Sequence, residues 1–159
     1  YLQARTKARI VTVALEKEQS ALLAQKIDEV LDELRSTEGN PFRVPDSTPI
    51  ELVDIDPLEQ PLDTQFRTGA MGLGWDPTTA EIVIEAYAMV DEIDLDEFGS
   101  EPIEVEPAEA LLVRIPVGTA RAFAKRTHEV VGAGRPSCPL CGYPMNPEGH
   151  VCAQPGALG

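Results

Sequence analysis

Twice in this chain a strand-like run with apolar residues at alternate positions passes directly into a helix-like stretch with an apolar stripe, and the two joins lie one hundred positions apart. Residues 9–15 lead into an expected helix over about 16–34, and residues 110–115 lead into one over about 117–131. The register holds without a gap, setting Ala24 over Ala124 and Glu29-Val30 over Glu129-Val130. Val11, Val13 and Leu15 then correspond to Leu111, Val113 and Ile115, one side of a strand in each case. Leu23, Ile27, Val30, Leu31 and Leu34 recur at the spacing of a helix face that packs on a sheet. A strand feeding an amphipathic helix can bury both apolar sides only in a layered fold.

Hairpins complete each half. Residues 1–5 and 9–15 form one around Thr6-Lys7-Ala8, and residues 66–75 and 81–90 form another around Asp76-Pro77-Thr78-Thr79, a turn-rich run. The chain is therefore expected to be α+β: a two-layer sandwich made of a duplicated βββα unit, with its helices on one face of a mainly antiparallel sheet. Its body spans 1–134, with halves at about 1–35 and 64–132, and residues 135–159 form a separate tail. The first half shows two strands before its helix where the second shows three, so a strand matching 66–75 is expected upstream of Tyr1. Residues 91–106 contain eight acidic and no basic side chains and are expected to be an acidic loop inserted at a hairpin tip. They lack the spaced order of oxygen ligands found in a calcium loop. Gln3, Thr12, Glu85, Tyr87 and Arg114 fall on the side away from the helices and are expected to meet water or a partner.

The tail carries the sharpest chemical pattern. All three cysteines of the chain lie in it, as Cys138, Cys141 and Cys152, with His150 two positions before the last. Two thiolates three residues apart and a His-x-Cys pair in extended backbone suit one tetrahedral ion, and an imidazole among thiolates favours zinc over an iron–sulfur cluster. A closed Cys3His set leaves no open coordination position, so the expectation is a structural zinc cofactor rather than a catalytic one. Clustered cysteines in odd number are a poor disulfide framework and point to the cytoplasm.

A net charge of −14 disfavours nucleic acid and anionic membranes as partners. No apolar run is long enough to span a bilayer. Beyond Leu111, however, five basic residues face two acidic ones. Arg121, Lys125 and His128, with Arg126 beside them, form a basic helix stripe that is the expected surface for a protein partner. Gly69, Gly72 and Gly74 lack the Lys-Ser/Thr ending and following helix of a phosphate loop, and read instead as a bulge or a close backbone approach. No catalytic constellation stands out. The expectation is a zinc-stabilised, non-catalytic interaction module; the alternative is an enzyme or small-ligand-binding subunit with its site in the groove between the two repeats.

Five segments together resemble one bacterial family. They are Tyr1-Leu2-Gln3-Ala4-Arg5, Val13-Ala14-Leu15-Glu16-Lys17-Glu18-Gln19, Pro57-Leu58-Glu59-Gln60-Pro61, Ala120-Arg121-Ala122-Phe123-Ala124-Lys125-Arg126 and Gly134-Arg135-Pro136-Ser137-Cys138-Pro139-Leu140-Cys141-Gly142. The family is known as domain of unknown function 3090, and the likeness covers nearly the whole chain. It implies an extra strand-forming segment before Tyr1 and the Cys-x-x-Cys and His-x-Cys ending matched by Cys138, Cys141, His150 and Cys152. It implies no catalytic residue.

Overall fold

The computed structural model describes residues 1–90, 109–133, 138–140 and 145. The acidic stretch 91–106 lies outside them. Strands β1 (Leu2–Thr6) and β2 (Arg9–Ala14) form the first hairpin and lead into α1 (Lys17–Ser36); a single 3-10 turn, Ile50–Leu52, interrupts the long connection that follows. Strands β3 (Thr64–Asp76), β4 (Glu81–Ala88) and β5 (Ala110–Pro116) come next, and β5 runs straight into α2 (Val117–Gly132).

The sheet order is β1-β2-β3-β4-β5. Every neighbouring pair is antiparallel except β2 and β3, which are parallel because α1 and the connection after it carry the chain back to the starting end. The thirteen-residue β3 joins two halves of the sheet: its start pairs with β2 through Thr12↔Thr64, and its remainder pairs with β4 as far as Asp76↔Glu81. Register shifts between Thr68 and Met71, where a Cβ on Gly69 would stand 3.1 Å from the Met89 Cα. The bulge and close approach expected for the glycine-rich strand are both there.

Alternation decides the rest. Met71, Leu73 and Trp75 on β3, Ile82 and Ile84 on β4, and Val113 and Ile115 on β5 share the helix-facing side and close over Leu23, Ala24, Ile27 and Leu31 of α1 and Ala120 and Ala124 of α2. Phe42 meets Trp75 edge-on with ring centroids 4.9 Å apart, sealing one end of that core. Ala24 and Ala124 are fully buried, and small side chains there let the helices approach closely. A mixed α+β fold with helices on one face of the sheet is thus observed. No helix among the described residues is long and apolar enough to cross a membrane.

Two side chains fasten α1 and the long connection to the sheet. Gln19 accepts the Glu16 N–H through Oε1 at 2.7 Å and donates from Nε2 to the carbonyls of Thr68 and Gly69 at 3.1 and 2.8 Å. One amide thus caps the start of α1 and satisfies carbonyls left free at the β3 bulge. Gln3 works on the opposite side of the sheet, donating to Glu59 O at 3.2 Å and accepting Glu59 N–H at 3.0 Å. Arg5 adds an ion pair to Glu59 at 2.9 Å. Segment 57–61 is thereby drawn toward the far face at β1 and β2, which is why Thr12, expected to meet water, is buried.

Candidate functional site: a cleft between the two helices

The basic stripe of α2 divides once the chain folds. Arg121 is 7 % exposed and turned inward, its guanidinium donating to Pro45 O at 3.1 Å, Asp28 Oδ1 at 2.8 Å and Asp32 Oδ1 at 2.9 Å. It is a tie between α1, α2 and the connection, and not part of an open surface. His128 Nε2 lies 3.0 Å from Asp28 Oδ2, so the same carboxylate serves both. Lys125 is exposed and pairs with Glu129 one turn along its own helix, an arrangement that holds the Glu129 carboxyl below the ordinary carboxylate range. Arg126 alone turns to a different neighbourhood, the cleft described next.

Among the described residues, no group of three or more His, Cys, Asp or Glu side chains is placed to hold a metal ion. On that finding the expected structural zinc cofactor, and the zinc-stabilised module built on it, has no support among the described residues. Cys138, the described member of the proposed quartet, is 6 % exposed and takes part in no disulfide among the described residues. It behaves as cysteine often does in a fold, as a small apolar side chain. Cys141, His150 and Cys152 lie outside the described residues. Spacing along a chain shows that donors are able to converge, not that they do.

The helices pass one another so that the first turns of α1 lie beside the last turns of α2. Between them, closed at one side by Tyr1, Leu2 and Leu15 and at another by segment 54–58, is a cleft of about 560 Å³. That is within the range of small-molecule sites, which are typically mostly apolar with a few convergent polar groups. Leu15, Leu23, Leu58, Phe123, Val130 and Val131 supply apolar walls, and Lys17, Ser20, Arg126, Thr127, Asp54 and Asp56 supply the polar groups. Ser20 Oγ donates to Glu16 O at 3.2 Å and Thr127 Oγ1 to Phe123 O at 2.8 Å, so each hydroxyl retains only acceptor capacity. Asp54 accepts the Asp56 N–H at 2.9 Å, which shapes that wall.

Neither Lys17 nor Arg126 lies within ion-pair distance of a carboxylate among the described residues, whereas most of the other basic side chains do. A second depression, of about 280 Å³ beside α1, offers only Lys26, already paired with Glu29, and the fully engaged Gln19 as polar groups. The larger cleft is the better-equipped site.

Sequence reasoning singled out Arg126 but missed Lys17, Phe123 and segment 54–58. One signal for Lys17 existed: it is the first residue of α1, where a cation opposes the helix dipole and an acidic residue is the usual choice. Local rules broken in this way tend to mark functional positions.

No curated protein and no solved structure matches the chain. A family model does: the one described as protein of unknown function (DUF3090) matches residues 1–152, and the chain belongs to that family.

Proposed function

We propose that this protein is a non-catalytic small-molecule-binding protein whose site is the cleft between α1 and α2. The cleft itself carries the reading: it combines apolar walls, a size suited to a metabolite and two cations that the described residues leave without a partner. Among the described residues no reacting constellation accompanies them, which is why the reading is binding rather than turnover. The same reading takes the two halves as copies of one βββα unit, with α1 and α2 beginning at Lys17 and Val117 directly after β2 and β5. On that view the site lies between the repeats. A buried Cys138 with no disulfide among the described residues suits a reducing compartment, and the reading puts the protein in the cytoplasm.

Thermal denaturation of the full chain across a metabolite library tests this, with Thr127→Trp and Ser20→Phe as two independent cleft-filling variants. The expected result is a set of compounds that raise the wild-type melting temperature and fail to raise that of either folded variant. Compounds that stabilise wild type and both variants equally would place the site elsewhere.

A further inference from the structure

We propose that the ligand is an amphiphilic monocarboxylate, an aliphatic chain ending in one negative charge, and that Lys17 and Arg126 hold the carboxylate. The inference rests on the reading of the cleft as a binding site and adds the chemistry of its occupant.

Three observations lead to it. The walls are built largely from aliphatic side chains, among them Leu2, Leu15, Leu23, Val130 and Val131, with Phe123 from α2. Such walls reward methylene groups. Next, the two cations reach the cleft from different helices, Lys17 from the first position of α1 and Arg126 from α2. Neither makes an ion pair among the described residues, Glu129 near Arg126 being paired with Lys125 instead, although acidic side chains outnumber basic ones two to one in this chain. A guanidinium presents two parallel N–H donors that match a carboxylate, and an ammonium lining the same cleft adds a mobile point charge.

The third observation sets the size of the charge. Asp54 and Asp56 line the same cleft, so the lining carries two positive and two negative groups. A single negative charge seated against the cations is favourable there. A phosphate dianion would bring a second charge toward the two aspartates, and like charges brought together disfavour it. A cationic amphiphile would have to displace its head from Lys17 and Arg126 altogether. Monocarboxylates are therefore preferred over alkyl phosphates, alkyl amines and uncharged alcohols of the same length.

Isothermal titration calorimetry of the full chain with octanoate, decanoate, decanol and decylamine, each below its aggregation threshold, tests the assignment. Decanoate is expected to bind one to one, about four-fold more tightly for each methylene added from octanoate. Decanol and decylamine are expected to bind at least ten-fold more weakly. Arg126→Met and Lys17→Met are expected to remove the preference for decanoate over decanol while the far-ultraviolet spectrum and melting temperature of the unliganded protein stay unchanged. If decanol matches decanoate and Thr127→Trp abolishes both, the cleft remains the site and the head-group assignment falls. If none of the alkyl probes binds, or Thr127→Trp and Ser20→Phe bind decanoate as wild type does, the reading of the cleft falls and the head-group assignment with it.

Discussion

Arg121 shows how far one side chain's role depends on the geometry around it. Its guanidinium is nearly out of water, with Asp28 partly buried beside it and Asp32 largely exposed. Removing Asp28 strips a buried cation of its better-shielded partner and is expected to cost about 3 kcal/mol. Asp32→Ala, at the exposed end of the same network, is expected to cost about 1 kcal/mol or less; urea denaturation of both variants checks the contrast. Thr68 poses the opposite case, since its hydroxyl is buried on β3 with no hydrogen-bond partner. Thr68→Val keeps the shape and removes the orphaned group, so it is expected to raise stability by about 1 kcal/mol in the same assay. On the open face of the sheet Tyr87 donates to Glu85 Oε2 at 2.6 Å, and that bond, with some desolvation, lifts the phenol above its ordinary 10.0. A raised value means the folded chain holds that proton more tightly than the unfolded one. The contribution to stability is therefore complete below pH 10 and fades as pH rises through the lifted value. Ultraviolet titration should find this tyrosine ionising later than a free phenol, and Glu85→Gln should bring it back toward the ordinary value. The roles of Arg121 and Thr68 are not legible in the sequence, because partners tens of positions away decide the first and burial decides the second; Tyr87 and Glu85, two positions apart on one strand face, lie within its reach.

At the scale of elements, far more can be read. Both helices and all five strands follow from period: apolar residues at alternate positions gave β2 and β5, and stripes at helical spacing gave α1 and α2, with boundaries off by a residue or two. Alternation also assigned the helix-facing side, since Val113 and Ile115 do pack beneath the helices. Alternation failed at Thr12 and helical spacing at Arg121, where a segment from far along the chain supplies the cover or the partner. Gln19 lies between the two cases. Its place three residues into α1 is a recognisable capping position, but its bonds to Thr68 and Gly69 depend on a bulge in a strand about fifty residues away. Gln19→Ala removes three hydrogen bonds at the junction of α1 and β3, and is expected to cost about 2 kcal/mol. Amide exchange should show the loss concentrated in the first turn of α1 and around the β3 bulge.

The molecule as a whole places a cleft between its two helices, next to the start of β1 and the end of β2. Its parts are spread from Tyr1 to Val131, so only the folded chain brings Lys17, Phe123, Arg126 and segment 54–58 together. The sequence could suggest a groove between halves but could not name its lining, and the strongest local pattern, the cysteine spacing near the carboxyl end, directed attention to a metal centre that the described residues do not form. Charge distribution now supports a different emphasis: acidic overall, with two cations that make no ion pair among the described residues at one largely apolar hollow. Methyl-resolved nuclear magnetic resonance during a decanoate titration tests that emphasis most directly. Leu15, Leu23, Leu58, Val130 and Val131 methyls should shift together and saturate, while Leu112 and Val83 on the other side of the sheet stay still. Saturating shifts on that opposite side, with the cleft methyls unmoved, would contradict the account.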